Sequence, residues 1–312
     1  MPIAMIVHGG AWAIPDEQVE PHLTGCQTAL AAGWAILAAG GTALAACEAA
    51  VRVMEDDPVF DAGTGAVLTS AGTVELDAAV MDGHSLRYGA VANLRRVRNP
   101  ITLARHVLDG PSTFLAGEGA EQFAVSVGLP LCANADLIVV RERVLWEAWR
   151  VGQLSEVPGG DSSAGEQAQP PSAHSVGGHD TVGAIALDEA GNLVAANSTG
   201  GTSFKLPGRI GDTPMVGCGL YADAYVGGAV CTGWGESIVR VALAHRAVEL
   251  LERGLPPQSA AELAIRTLAR RVSGGHGGCI ILTPGGRIGL AWNTRRMAYA
   301  YRQAGGEPIW GC

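Results

Sequence analysis

Apolar residues fall into two patterned blocks separated by one long polar gap. MPIAMIVHGG opens with a short apolar run closed by a glycine turn, the signature of a first strand. Two alanine-rich stretches, about Glu17 to Ala39 and Thr42 to Met54, read as helices. After the loop DDPVFDAGTGA, VELDAAVMDG alternates as a strand does, and YGAVANL supplies another. Pro100 suits the first turn of a helix running to about Leu108, and helical segments continue to about Arg150.

The second block resumes with strands at Val182 to Leu187, Leu193 to Asn197 and near Gly228 to Thr232. Helices at about Gly235 to Arg253 and Pro257 to Val272 follow, then CIILT, a PGG turn, RIGLAW and MAYAY as strands. Strands at both ends of both blocks, with helices grouped between them, predict two sheets stacked face to face and covered by helices.

Between the blocks lies VGQLSEVPGGDSSAGEQAQPPSAHSVGGHD, residues 151–180, nearly empty of large apolar side chains. It cannot bury enough surface to order itself, so it reads as a disordered linker or processing segment.

Composition narrows the class. Hydrophobic content of 48% with only 5% aromatic residues and 44 glycines makes the core one of Ala, Val, Ile and Leu with close backbone approaches. A net charge of −9 argues against nucleic acid or an anionic membrane surface as partner. The uncharged run Leu23 to Cys47 is interrupted by Gly40 and Gly41 and resolves into two buried helices rather than a membrane span. Seven scattered cysteines with no C-x-x-C pair, and a start without an export signal, fit a reduced, cytoplasmic protein. Phosphate-loop, dinucleotide and zinc spacings are missing, so no catalytic cofactor is expected.

The polar gap ends at Thr181, where a strand begins abruptly. Cleavage between Asp180 and Thr181 would give this residue a free α-amine beside its own hydroxyl, placing nucleophile and base on one residue. An α-amine has a reference pKa of about 7.7 to 8.0, so part of it accepts a proton at neutral pH without a histidine. STGG, KLPGRIGDTP and CTGWGE are polar, glycine-rich clusters at expected strand ends. A T-G-x-G turn offers a hydroxyl and a close N–H to a developing oxyanion, and an arginine and aspartate three residues apart can read the two ends of an amino-acid head group.

Those segments, taken in order, resemble the threonine N-terminal-nucleophile hydrolases that comprise plant-type L-asparaginases with isoaspartyl aminopeptidase activity, glycosylasparaginases and taspases. VHGGAWAI is similar to the family's opening HGGAG turn, FDAGTGA to F-N-A-G-x-G-A and LDAAVMDG to L-D-A-x-[VI]-M-D-G. TVGAIALDEAGNLVAANSTGG, KLPGRIGDTP, CTGWGE, GGHGG and WNTRRMAYAY follow in family order. The resemblance implies an α/β (α+β) chain forming a four-layer αββα sandwich. It implies an α subunit of residues 1–180, with 151–180 as linker, and a β subunit of residues 181–312 with the nucleophile at its N-terminus. It further implies Thr181 as nucleophile, Thr199 orienting it, and Thr232 with the Gly233 N–H as oxyanion hole. Arg209 would hold the substrate carboxylate, Asp212 its ammonium, and Gly235 would add a contact. Backbone carbonyls of Met54, Glu55, Asp57, Phe60, Ala62 and Thr64 would hold a structural sodium ion. L-asparagine and isoaspartyl dipeptides are the implied substrates, and a homodimer of αβ units, (αβ)2, the implied assembly.

Three positions depart from the asparaginase pattern. Asp180 stands where glycine is usual, Asp61 replaces an asparagine in the loop facing the site, and Trp234 fills a position commonly occupied by a small residue, where it is expected to reshape the substrate mouth. HDT and SFK are closer to glycosylasparaginases, which keeps an N4-substituted asparagine amidase as an alternative; an uncleaved, non-catalytic binder of aspartyl ligands is another. Glu236 reads as helix-start charge, Lys205 as a solvated lysine, and His8 and His276 as turn residues without chemistry.

Overall fold

A computed structural model describes residues 2–152 and 181–312, so residues 153–180 of the expected linker, Asp180 included, lie outside the described residues. The elements run β1 (Ala4–Trp12), α1 (Asp16–Ala38), α2 (Ala43–Asp56), β2 (Leu76–Asp82), β3 (Arg87–Leu94), α3 (Pro100–Asp109), β4 (Phe114–Ala116), α4 (Gly117–Ser126) and α5 (Val140–Arg150). The second block holds β5 (Val182–Leu187), β6 (Leu193–Thr199), β7 (Leu220–Asp223), β8 (Gly227–Gly233), α6 (Gly235–Val241), α7 (Leu243–Glu252), α8 (Pro257–Arg271), β9 (Gly277–Leu282), β10 (Ile288–Trp292), β11 (Arg296–Gln303) and β12 (Ile309–Gly311). The chain is thus an α+β fold.

The larger of two sheets is built from interleaved pieces of both blocks, and the smaller comes from the second block alone. The larger runs β12-β11-β1-β5-β6-β2-β3-β4, and the smaller β10-β9-β8-β7. Neither block makes the larger sheet alone: β1 of the first pairs with β5 and β11 of the second, and β2 pairs with β6.

Strand alternation divides the apolar residues among three cores. Ala78 and Val80 of β2 join α1, α2 and α3 in one. Ala79, Ile185, Ala195, Val230 and Ile280 fill the space between the sheets. Ala229, Cys231 and Ile281 pack against α7 and α8 in the third. Sheet spacing is kept small by glycine: a side chain on Gly183 would collide with the His8 ring and Val230, and one on Gly228 with Leu193.

Thr42 caps α2 by accepting the Ala45 N–H at 3.2 Å, and Pro100 starts α3 as its fixed φ allows. The expected helix from Gly235 to Arg253 is divided at Ala242, which adopts φ 49°, ψ 58°. There the Ala244 and His245 N–H groups bond the Cys218 and Gly217 carbonyls, so a loop contact overrides helical propensity. Among the described residues no helix is long and apolar enough to cross a membrane, and all seven cysteines are free of disulfides.

Candidate active site

Thr181 lies one step beyond the Val182↔Ser198 pair at the start of β5, buried to 5% exposure. Its hydroxyl donates to Thr199 Oγ1 at 3.2 Å and lies 3.5 Å from Thr213 Oγ1. Thr199 ends β6, and its oxygen also accepts the Gly201 N–H at 2.9 Å.

Thr232 reaches the same region from the smaller sheet. Its side chain shares the inter-sheet face with Val230 two residues earlier, and its hydroxyl accepts the Ala11 N–H from β1 at 3.3 Å. Gly233 turns at φ 130°, where a side chain would strike the Gly277 and His276 backbone. Only glycine lets this strand end approach its neighbour so closely.

Arg209 and Asp212 sit on the 205–214 loop. The Arg209 guanidinium makes a two-point ion pair with Glu236, Nε to Oε1 at 2.9 Å and Nη2 to Oε2 at 2.8 Å. Asp212 is 3% exposed, and its Oδ2 has no hydrogen-bond partner among the described residues. Burial pushes its carboxyl up to about 7, against the opposing field of Arg209. A side chain at Gly235 would stand 2.9 Å from Asp212 Oδ1 and 3.1 Å from Arg209 Nη2. Gly235 thus lets the backbone at the start of α6 lie against a cation and a carboxyl.

Thr181, Thr199, Arg209, Asp212, Thr232, Gly233 and Gly235 therefore gather at one end of the inter-sheet space, linked through Thr213 and Asp212 to the start of α6. Met54 and Glu55 in the last turn of α2, with Asp57, Phe60, Ala62 and Thr64 in the loop that follows, form a separate cluster. Its Glu55 carbonyl accepts the Thr64 N–H at 2.7 Å, and its Asp57 carbonyl the Phe60 N–H at 3.2 Å. Phe60 carries this loop under Gly9 of β1.

A family model described as asparaginase matches residues 1–309. The chain belongs to that asparaginase family. The isoaspartyl peptidase/L-asparaginase of Danio rerio is 39% identical over 96% of this chain and 92% of its own length. The plant-type L-asparaginase of Pyrococcus abyssi is 40% identical, with 98% of each chain covered. The Bos taurus isoaspartyl peptidase/L-asparaginase is 39% identical over 97% of this chain and 94% of its own.

Several polar residues of this asparaginase-family chain have roles that their local sequence does not show. Glu236 is the partner of Arg209 rather than a simple helix-start charge; the signal was an acid closing the CTGWGE cluster. Lys205 is 3% exposed, not solvated, with Nζ donating to the Glu75 carbonyl at 2.9 Å. His8 is fully buried on β1, and burial pushes its pKa down to about 3 while a hydrogen bond to the Thr181 backbone acts the other way, leaving a neutral ring beside Thr181. Thr213, next to Asp212 in the GDTP segment, was readable only as a neighbour.

Asp61 is 4% exposed; its Oδ1 accepts the Val67 N–H at 2.8 Å and its carbonyl the Gly200 N–H at 2.7 Å, which ties the FDAGTGA loop to STGG. Trp234 packs on the core beneath α7 and α8, with the Arg240 guanidinium 5.7 Å from its ring and His276 at 6.1 Å.

Proposed function

We propose that the chain is a self-processing L-asparaginase and isoaspartyl peptidase with Thr181 as its nucleophile. The observation that carries the reading is the Thr181 hydroxyl, buried at a strand start, 3.2 Å from Thr199 and 3.5 Å from Thr213, with Asp212 next in sequence to the latter. In the precursor the Thr181 oxygen attacks the Asp180 carbonyl. The scissile nitrogen leaves as the new α-amine, and water hydrolyses the resulting ester to free the Asp180 carboxylate.

The mature α-amine then takes the Thr181 hydroxyl proton as the oxygen attacks the side-chain carbonyl of asparagine or of an isoaspartyl peptide. Thr232 and the Gly233 N–H stabilise the tetrahedral oxyanion. Collapse expels ammonia or the peptide amine, which takes the proton from the ammonium, and water releases aspartate from the β-aspartyl ester. Arg209 holds the substrate carboxylate and Asp212 its ammonium, with Gly235 keeping the space between them open.

The same reading makes residues 1–180 and 181–312 two subunits of one αββα sandwich. The interleaving of their strands in the larger sheet supports it, because neither piece can form that sheet without the other. The 54–64 turn offers hard carbonyl oxygens suited to a sodium ion, and the hydrogen bonds at Glu55 and Asp57 leave each oxygen a second lone pair. The ion would stiffen the loop beneath β1 and takes no part in the reaction.

The test is mass spectrometry of the denatured protein beside Thr181→Ala, followed by turnover of L-asparagine, an isoaspartyl dipeptide and an N4-substituted asparagine. Two fragments divided at Asp180–Thr181, missing in the variant, with turnover of the first two substrates, are expected. An intact wild-type chain would overturn the self-processing step. Turnover of only the substituted asparagine would turn the reading to a glycosylasparaginase-like amidase.

A further inference from the structure

Across the larger sheet, Thr181 stands beside Thr199 on β6, and Thr199 is the register partner of Asp77 on β2. Directly opposed residues of antiparallel strands share a face. That face is the inter-sheet one, since Ala79, two residues beyond Asp77, belongs to the core between the sheets. Thr181, Thr199 and Asp77 thus form one polar row at the end of an apolar layer.

The hydrogen bonds in this row leave one proton without an acceptor. Thr199 Oγ1 accepts from Thr181 Oγ1 and from the Gly201 N–H, so its own O–H remains to be donated. Asp77 is fully buried; its Oδ1 accepts the Asn93 N–H at 2.8 Å, and its Oδ2 has no hydrogen-bond partner among the described residues. Opposed Cβ atoms lie about 4.5–5.5 Å apart, a gap that a side-chain rotation or one bridging water closes.

We propose that Asp77 is a positioning residue for the nucleophile: its carboxylate receives the Thr199 hydroxyl, directly or through one water, and so orients Thr199 toward Thr181. This deepens the hydrolase reading above and rests on it. The chain of hydrogen bonds then runs one way, Thr181 to Thr199 to Asp77. Thr199 is held as an acceptor and cannot turn to donate to the Thr181 oxygen, whose lone pair must meet the carbonyl under attack. Each bond in such a chain polarises the next.

Lys205 completes the arrangement. Burial pushes the Asp77 carboxyl up, and the buried Lys205 ammonium is the largest influence bringing it back, followed by the Asn93 hydrogen bond and Arg209, with Glu75 opposing. Lys205 is fixed where it acts, bonded to the Glu75 carbonyl and pressed against Gly201, whose φ of 94° leaves no room for a side chain there.

The experiment is a double-mutant cycle in kcat on an isoaspartyl dipeptide, with Asp77→Asn, Thr199→Val and both together, measured by single turnover. Asp77→Asn should lower kcat about 10-fold or more with KM within about 2-fold, and the effect should vanish in the Thr199→Val background. An equal loss in both backgrounds, or an unchanged kcat in Asp77→Asn, overturns the assignment. If Asp77→Asn does not fold, a wild-type crystal structure at about 1 Å decides: Asp77 Oδ2 bonded to Thr199 Oγ1, or to a water shared with it, supports the proposal, and a Thr199 hydroxyl donating elsewhere refutes it. A wild type that turns over no β-aspartyl substrate refutes the hydrolase reading itself, and the same cycle is then read on the rate of Asp180–Thr181 cleavage.

Discussion

Arg209 and Glu236 face each other as a two-point ion pair, with Nε and Nη2 of the guanidinium 2.9 and 2.8 Å from the two carboxylate oxygens. The pair occupies one edge of the guanidinium and fixes its plane. The other edge, Nη1, is directed toward Gly201 and Gly211, with the Lys205 side chain also against Gly201. In the proposed role of Arg209, the guanidinium would meet a substrate carboxylate already oriented, so less entropy would be lost on binding.

Glu236→Gln should therefore act on binding before chemistry. Loss of a charge-assisted, two-point contact corresponds to about 1.5–3 kcal/mol, or about 10- to 150-fold. The expected result is a rise of that order in KM for L-asparagine with kcat within about 3-fold. Steady-state kinetics beside Arg209→Lys, which cannot form the planar fork, checks it.

Gly235→Ala should cost both stability and binding. Gly235 is the buried first residue of α6, outside the helix interior where alanine is favoured over glycine. The new methyl group would stand 2.9 Å from Asp212 Oδ1, 3.1 Å from Arg209 Nη2 and 3.2 Å from the Asp212 backbone nitrogen, so packed groups must shift. Thermal unfolding should show a lower midpoint, and aspartate binding measured by calorimetry should weaken at least 10-fold.

Asp212 and Glu55 make stability and binding depend on pH with opposite signs. Burial raises their carboxyls from 3.8 to about 7 and from 4.5 to about 8. The folded chain holds protons in that window which the unfolded chain releases, so their contribution is complete below the unfolded values and is lost as pH rises through about 7 to 8. Denaturant midpoints should fall from pH 5 to pH 8.5, and Glu55→Gln should flatten part of that slope. Aspartate binding needs Asp212 ionised and should instead strengthen as pH rises through about 7. Calorimetric titrations across that range would show it.

Ala242 is held in the left-handed region at φ 49°, a conformation costing a non-glycine residue about 1–2 kcal/mol. Ala242→Gly should raise stability by about 0.5–1 kcal/mol once the extra freedom of the unfolded chain is counted. Denaturant unfolding should show the gain, with kcat unchanged.

Helices α1, α2, α3 and α8 lie within a few residues of the ranges read from the chain, because alanine-rich runs, Pro100 and Pro257 act over a single turn. The strand at Val182–Leu187, the abrupt start at Thr181 and the motif series were legible for the same reason: each is a local pattern. Lys205 and Glu236 were not. Lys205 is buried and donates to a carbonyl 130 positions away, and Glu236 meets its arginine 27 positions away. The row from Thr181 through Thr199 to Asp77 exists because β2 lies beside β6 in a sheet that neither block makes alone. Secondary structure follows from neighbours along the chain, whereas the charge, protonation and hydrogen bonding of a buried side chain follow from whatever the packed sheets set against it.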